Sequence, residues 1–145
     1  MKYLIIIALL FSLSARAQSG LVKFRVYEMS FKFWDAANEY PAEEFYKNNI
    51  LIHYHPKDRI LKVFAPKEQT YYLINEDAPV RNYRDNKCVA IDAIDENRDK
   101  CTVIIEYSKD NEIIQFHVAR QSPFTNNKGR VLLVLIAMNV VRLIN

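Results

Sequence analysis

The sequence predicts an all-β fold with minor α content: an antiparallel meander of about seven strands curled into a small barrel or half-barrel. Three observations carry this. Short runs of β-branched and aromatic residues recur along the chain from Gly20 onward. Several of them alternate apolar and polar residues, the period of a half-buried strand. The segments between them are too short to hold crossover helices, so the neighbours must be antiparallel. With 145 residues, 50% of them hydrophobic and 26% charged, the chain suits one packed domain and is not a disordered tail.

The strands follow in order. Val22, Phe24 and Val26 alternate with Lys23 and Arg25. In the run 49–55, Ile50, Ile52 and Tyr54 share one face, and His55-Pro56-Lys57-Asp58 supplies turn chemistry. Ile60 to Ala65 is the next strand, closed by Pro66-Lys67, and Thr70 to Ile74 follows. Residues 75–86, rich in Asp, Asn and Arg, read as a polar loop. Cys88 to Ile94, Thr102 to Tyr107 and Glu112 to Val118 complete the series, the last two joined by the short turn Ser108-Lys109-Asp110-Asn111.

Two segments depart from this pattern. Residues 35–48 contain Asp35-Ala-Ala-Asn-Glu and Pro41-Ala-Glu-Glu-Phe-Tyr, helix formers with a proline suited to a first turn, so one short helix or ordered loop is expected there. Residues 128–145 form an apolar C-terminal segment expected to pack on the 18–127 meander domain. As a helix, Val131 to Val141 spans only about 17 Å, too little for a ~30 Å hydrocarbon core. Its Val and Ile content favours a strand, whereas a capping helix would also complete a barrel, and both remain open.

Residues 1–17 read as a secretory signal peptide. Met1-Lys2 is a cationic start, Tyr3 to Leu13 an apolar centre, and Ala15-Arg16-Ala17 an A-x-A exit. The expected location is therefore secreted or periplasmic, with no transmembrane segment in the mature chain. Lys2 and Arg16 lie in the leader, which has no Asp or Glu, so the chain from Gln18 carries 18 Lys+Arg against 17 Asp+Glu. A near-neutral chain of interleaved signs has no footprint for nucleic acid.

Cys88 and Cys101 are the only cysteines, and export favours a disulfide between them. A simple hairpin about residues 95–100 opposes this. It sets Ile94 opposite Cys101 and Cys88 opposite Tyr107, leaving the thiols about 20 Å apart. Either the strands pair in that way or a distorted hairpin closes a bridge; a disulfide is the expectation carried forward.

The candidate chemistry is sparse. Asp95-Glu-Asn97-Arg-Asp99 with Glu106 resembles the ligand ladder of a calcium loop, but Lys100 stands where the sharp turn needs glycine, so a solvated hairpin tip is expected. His53 and His55 share a strand face and are candidate metal ligands, with His117 as a third if the sheet closes. There is no G-x-S-x-G, two glycines exclude a glycine-rich phosphate loop, and Glu43-Glu44 are adjacent and do not face one another on a helix. No catalytic residue and no cofactor is assigned, and an enzyme is unsupported. The densest group of rings, Phe31, Phe33, Trp34, Tyr40, Phe45 and Tyr46, is a candidate recognition surface.

With its leader, a solitary Trp34 ahead of Ile50-Leu-Ile-His, Gln69-Thr-Tyr71 opening a strand and Asp95 ahead of Cys101, the chain resembles small exported meander proteins of Bacteroidota-type bacteria over residues 22–118. The resemblance implies export and a meander, and no activity. Lipocalins carry a glycine two positions before their first-strand tryptophan, where this chain has Lys32. The expected function is an exported, non-catalytic binding module for a protein or envelope component. The alternative is a small-ligand or metal carrier using the barrel interior or His53 and His55.

Overall fold

The computed structural model describes the backbone of residues 20–35, 42–46, 49–75, 78–125 and 131–144, and the side chains of 20–31, 49–75, 78–120 and 135–144. The described residues form ten strands: β1 (Val22–Asp35), β2 (Ala42–Tyr46), β3 (Ile50–His55), β4 (Ile60–Phe64), β5 (Glu68–Leu73), β6 (Val80–Tyr83), β7 (Asn86–Asp95), β8 (Lys100–Tyr107), β9 (Ile113–Thr125) and β10 (Val131–Arg142). No helix occurs among the described residues.

Eight of these strands close a barrel in the order β1-β3-β4-β5-β7-β8-β9-β10, with β10 returning to pair with β1. All pairings are antiparallel. The two remaining strands extend staves already in the ring. β2 pairs with Met29–Phe33 of β1, beyond the stretch Val22–Val26 that β3 occupies. β6 pairs with the start of β7, beyond the stretch that β5 occupies. The chain thus runs up and down around the barrel, and closure removes the two free edges that an open meander would expose.

Burial follows the alternation read from the sequence. Phe24, Val26, Ile52, Leu61, Val103, Ile105, Phe116, Val118 and Met138 are fully buried inside the barrel. Phe116 meets Phe24 edge-on at 5.2 Å between ring centroids and Tyr54 at 5.8 Å. A buried side chain of this size contributes about 1.5–3 kcal/mol relative to exposure, so these positions carry much of the stability. The side chains that alternate with them point outward and include Lys23, Arg25, Lys62, Asp92 and Lys100. That is apolar-in and polar-out, the reverse of the pattern of a membrane-spanning barrel. No described helix is long and apolar enough to cross a membrane.

Three expectations are corrected here. The segment Ala42–Tyr46 is a strand, not part of a short helix or loop, because β1 continues past the end of β3 and its exposed backbone groups recruit β2 as a ladder partner. The polar stretch 75–86 contains the strand β6, folded back on β7 by a tight turn with Arg84 at φ 54°. Residues 131–142 are a stave of the barrel and not a segment laid upon a finished domain: β10 pairs with β1 on one side and β9 on the other. The 1–17 leader and Tyr40 lie outside the described residues.

The Cys88–Cys101 disulfide is also corrected. Cys101 pairs with Ala93 and Cys88 with Glu106, so five residues of β7 separate their levels, roughly 16 Å at strand spacing. Cys101 is buried inside the barrel, Cys88 is half-buried on the outer face, and both are free thiols. Adjacent strands joined by a tight turn cannot bring opposite faces together, which is why the spacing that export would favour closes no bridge.

Candidate functional site

A β-bulge in β1 builds the site. Val26 pairs with Val140, and the next pair is Glu28 with Asn139, leaving Tyr27 as the extra residue. Without it, Glu28 would share the inward face of Val26. With it, Met29 and Phe31 pack toward the core and Glu28 and Ser30 turn outward. The change of phase is visible in the chain: inward apolar residues fall at 22, 24 and 26, then at 29 and 31.

Register then lines up outward polar residues across five strands. Cys88 on β7 pairs with Glu106 on β8, Glu106 with Gln115 on β9, Gln115 with Asn139 on β10, and Asn139 with Glu28 on β1. The row is hydrogen-bonded in two blocks. Gln115 Nε2 donates to Asn139 Oδ1 at 2.6 Å, and Asn139 Nδ2 donates to Glu28 Oε1 at 3.0 Å. Asn86 Nδ2 donates to Glu106 Oε1 at 2.7 Å, while His117 Nε2 lies 3.3 Å from Glu106 Oε2. His117 stands one register step along, opposite Ile104 and Ala137.

These side chains line a cleft of about 460 Å³ on the outside of the barrel. Tyr83 at the end of β6 and Arg84 in the β6–β7 turn form one wall; Ser30, Leu135 and Ala137 form the opposite side. The apolar run of β10 thereby acquires a reason on both faces: Ile136, Met138 and Val140 fill the core, and Leu135 and Ala137 line the cleft. Glu106 is only 7% exposed despite facing outward. A carboxylate so far removed from water is costly unless donors surround it, and Asn86 and His117 fill that role. Chemically, the cleft presents two carboxylates separated by an amide pair, an imidazole and a thiol, a set suited to holding a ligand rich in hydrogen-bond donors.

The sequence-predicted sites are placed as follows. His53 and His55 both lie on β3; the His53 ring sits edge-on to Phe64 at 4.6 Å and His55 Nδ1 is 3.8 Å from Asp58 Oδ2. Burial, then the neighbouring charges of Lys23, His55 and Lys62, lower the His53 pKa. His117 lies on β9, with β1 and β10 between it and β3, and it meets Glu106. Closure of the sheet therefore does not assemble the three imidazoles. Among the described residues no group of three or more His, Cys, Asp or Glu could hold a metal ion.

The acidic loop is a turn. Asp95 Oδ1 accepts from the backbone N–H of Asn97 and of Asp99, each at 2.9 Å, and Glu106 is engaged in the cleft. Of the aromatic group, Phe31 packs against the core, Phe33 and Trp34 continue β1, and Phe45 and Tyr46 lie on β2. Ser30, which lines the cleft, is paired with Phe45, so this segment abuts the polar row along β1. Glu28, Gln115 and Asn139 are ordinary outward strand residues until the register is known, and Glu106, which the sequence suggests as the last member of a calcium-like ladder, instead joins them in the cleft.

No family model, curated protein or solved structure matches the chain. The site is therefore read from its own chemistry.

Proposed function

We propose that this chain is an exported, non-catalytic binding module that engages a protein or envelope component through the exterior cleft, with the aromatic segment of β1 and β2 at its margin. The observation that carries the reading is the five-strand polar row, concave and with the nearly buried Glu106 within it. A barrel exterior without a partner needs solvated charges, not a carboxylate held out of water by two donors. The barrel interior, by contrast, is occupied by the core side chains themselves. Export rests on the leader-like residues 1–17, and the donor-seeking character of the cleft suits amine- or amide-bearing groups of a polypeptide or envelope polymer.

Cys88 supplies the test, since it lines the cleft while Cys101 is buried. A photo-reactive maleimide on Cys88 should give, on irradiation with an envelope fraction, an adduct that excess unlabelled protein suppresses. A Glu28→Gln/Glu106→Gln variant should fail to suppress it, and Trp34→Ala should suppress it less well. Absence of any adduct, or equal suppression by the double variant, would overturn the reading.

A further inference from the structure

A second concavity opens at the end of the barrel where β3, β8 and β10 terminate. It has a volume of about 340 Å³. Phe24 and Tyr54 line it, each held edge-on by the fully buried Phe116 behind them, at 5.2 and 5.8 Å between ring centroids. Tyr54 and Tyr107 both line the opening, and among the described residues neither hydroxyl has a hydrogen-bond partner. Arg142 and Glu112 stand at the rim. The shape is that of a small-molecule pocket: concave, mostly apolar at its base, with a few polar groups converging on one side.

We infer that this mouth is a binding site for a small planar aromatic carboxylate. Its ring would lie against Tyr54 and the edge of Phe24, with Val22 and Val140 beside them, where edge and face contacts between π systems are favourable. Its carboxylate would accept from the hydroxyls of Tyr54 and Tyr107 and pair with the Arg142 guanidinium. Burial pushes the Tyr54 hydroxyl up to about 12 and raises that of Tyr107, so both remain protonated donors across the ordinary pH range. The volume is near the lower end of the ~300–1,000 Å³ usual for ligand pockets, which admits a single or fused ring and excludes a long acyl chain. Among the described lining residues, Glu112 is the one that opposes an anion. The site shares no lining residue with the exterior cleft, so its fate is independent of the function proposed above.

The test is calorimetric titration of the purified protein with indole-3-acetate, with amide chemical shifts recorded in parallel. The control titrants are 3-methylindole, a ring without a carboxylate, and hexanoate, a carboxylate without a ring. Saturable one-to-one binding of indole-3-acetate is expected, at least tenfold tighter than either control. A phenol hydrogen bond to a carboxylate is worth about tenfold or more, so Tyr54→Phe/Tyr107→Phe should weaken binding about a hundredfold or more without changing the melting temperature. Arg142→Gln should weaken it several-fold and Glu112→Gln should strengthen it, each pointing the same way as the charge it removes. The inference fails if no saturable binding occurs up to millimolar concentration, if the double tyrosine variant binds equally well, or if the shifts centre on residues 106, 115 and 139.

Discussion

Cys101 faces the barrel interior opposite Ala93, while Cys88 faces the exterior cleft opposite Glu106, so the wall of the barrel itself separates the two thiols. Burial pushes the Cys101 thiol up to about 11, with the negative charge of Asp95 adding to the effect and Arg120 opposing it. The expected outcome is one thiol equivalent titratable with a small disulfide reagent in the native protein, mapped to Cys88, and a second only on unfolding. A protein with no titratable thiol under denaturing, non-reducing conditions would show that the bridge forms after all.

The same burial makes the fold alkali-sensitive. Tyr54 and Tyr71 are pushed up to about 12 from 10.0, Tyr107 is raised, and Cys101 is pushed up from 9.0. Desolvation is the leading cause for each. In the unfolded chain these groups lose their protons from about pH 9 upward, whereas in the native barrel they hold them. The stabilising preference for the protonated native state is therefore complete below pH 9 and is lost as pH rises toward 12. Urea midpoints should be flat from pH 7 to 9 and fall steeply above it. Ultraviolet titration should show a subset of tyrosines ionising together with unfolding. A midpoint unchanged at pH 11 would contradict the burial of these hydroxyls.

Much of the barrel was legible because inward and outward positions alternate. Val22, Phe24 and Val26, then Ile50, Ile52 and Tyr54, read as buried faces and are largely so, with Val22 and Tyr54, which pair with one another, only half-buried. What the pattern could not carry was partnership. Ala42–Tyr46 has helix-forming composition, yet it pairs because β1 leaves unpaired backbone beside it, a fact no local propensity contains. The polar row was hidden for the same reason: Glu106, Gln115 and Asn139 lie nine and twenty-four residues apart in the chain and become neighbours only through two strand registers. The bulge at Tyr27 was the single legible clue, as the shift from even to odd apolar positions along β1.

Asp95 is the polar residue on which the β7–β8 hairpin depends. It is buried, its Oδ1 accepts two backbone N–H bonds at 2.9 Å, and its Oδ2 lies 3.9 Å from Arg120. Asp95→Ala leaves two turn amides without their acceptor and should cost about 2–3 kcal/mol, since hydrogen bonds to a charged group are worth about 1.5–3 kcal/mol each and part is recovered from water. Asp95→Asn keeps an acceptor oxygen in place and should cost less than half as much. Chemical denaturation of the two variants checks the order. Equal losses would mean that charge, and not turn geometry, is what the site needs.

The turn that Asp95 organises carries a strain that substitution should release. Arg98 N donates to Asp95 O at 3.0 Å, and Asp95 N donates to Asp99 O at 3.0 Å, with Arg98 at φ 68°. The β8–β9 turn repeats the arrangement, with Asn111 N donating to Ser108 O, Ser108 N to Glu112 O, and Asn111 at φ 61°. This left-handed position is one that glycine or asparagine adopts at little cost, whereas a long side chain is held there at about 1–2 kcal/mol. The sequence uses asparagine at one turn and arginine at the other. Arg98→Gly removes the steric cost but gives the unfolded chain more freedom, about 0.5–1 kcal/mol in the opposite direction. Asparagine avoids that second cost. Arg98→Asn should therefore stabilise the protein by about 1 kcal/mol, and Arg98→Gly by less, whereas Asn111→Arg should destabilise it. Melting temperatures of the three variants decide the matter, and a loss of stability in Arg98→Asn would show that the arginine side chain holds the turn in some other way.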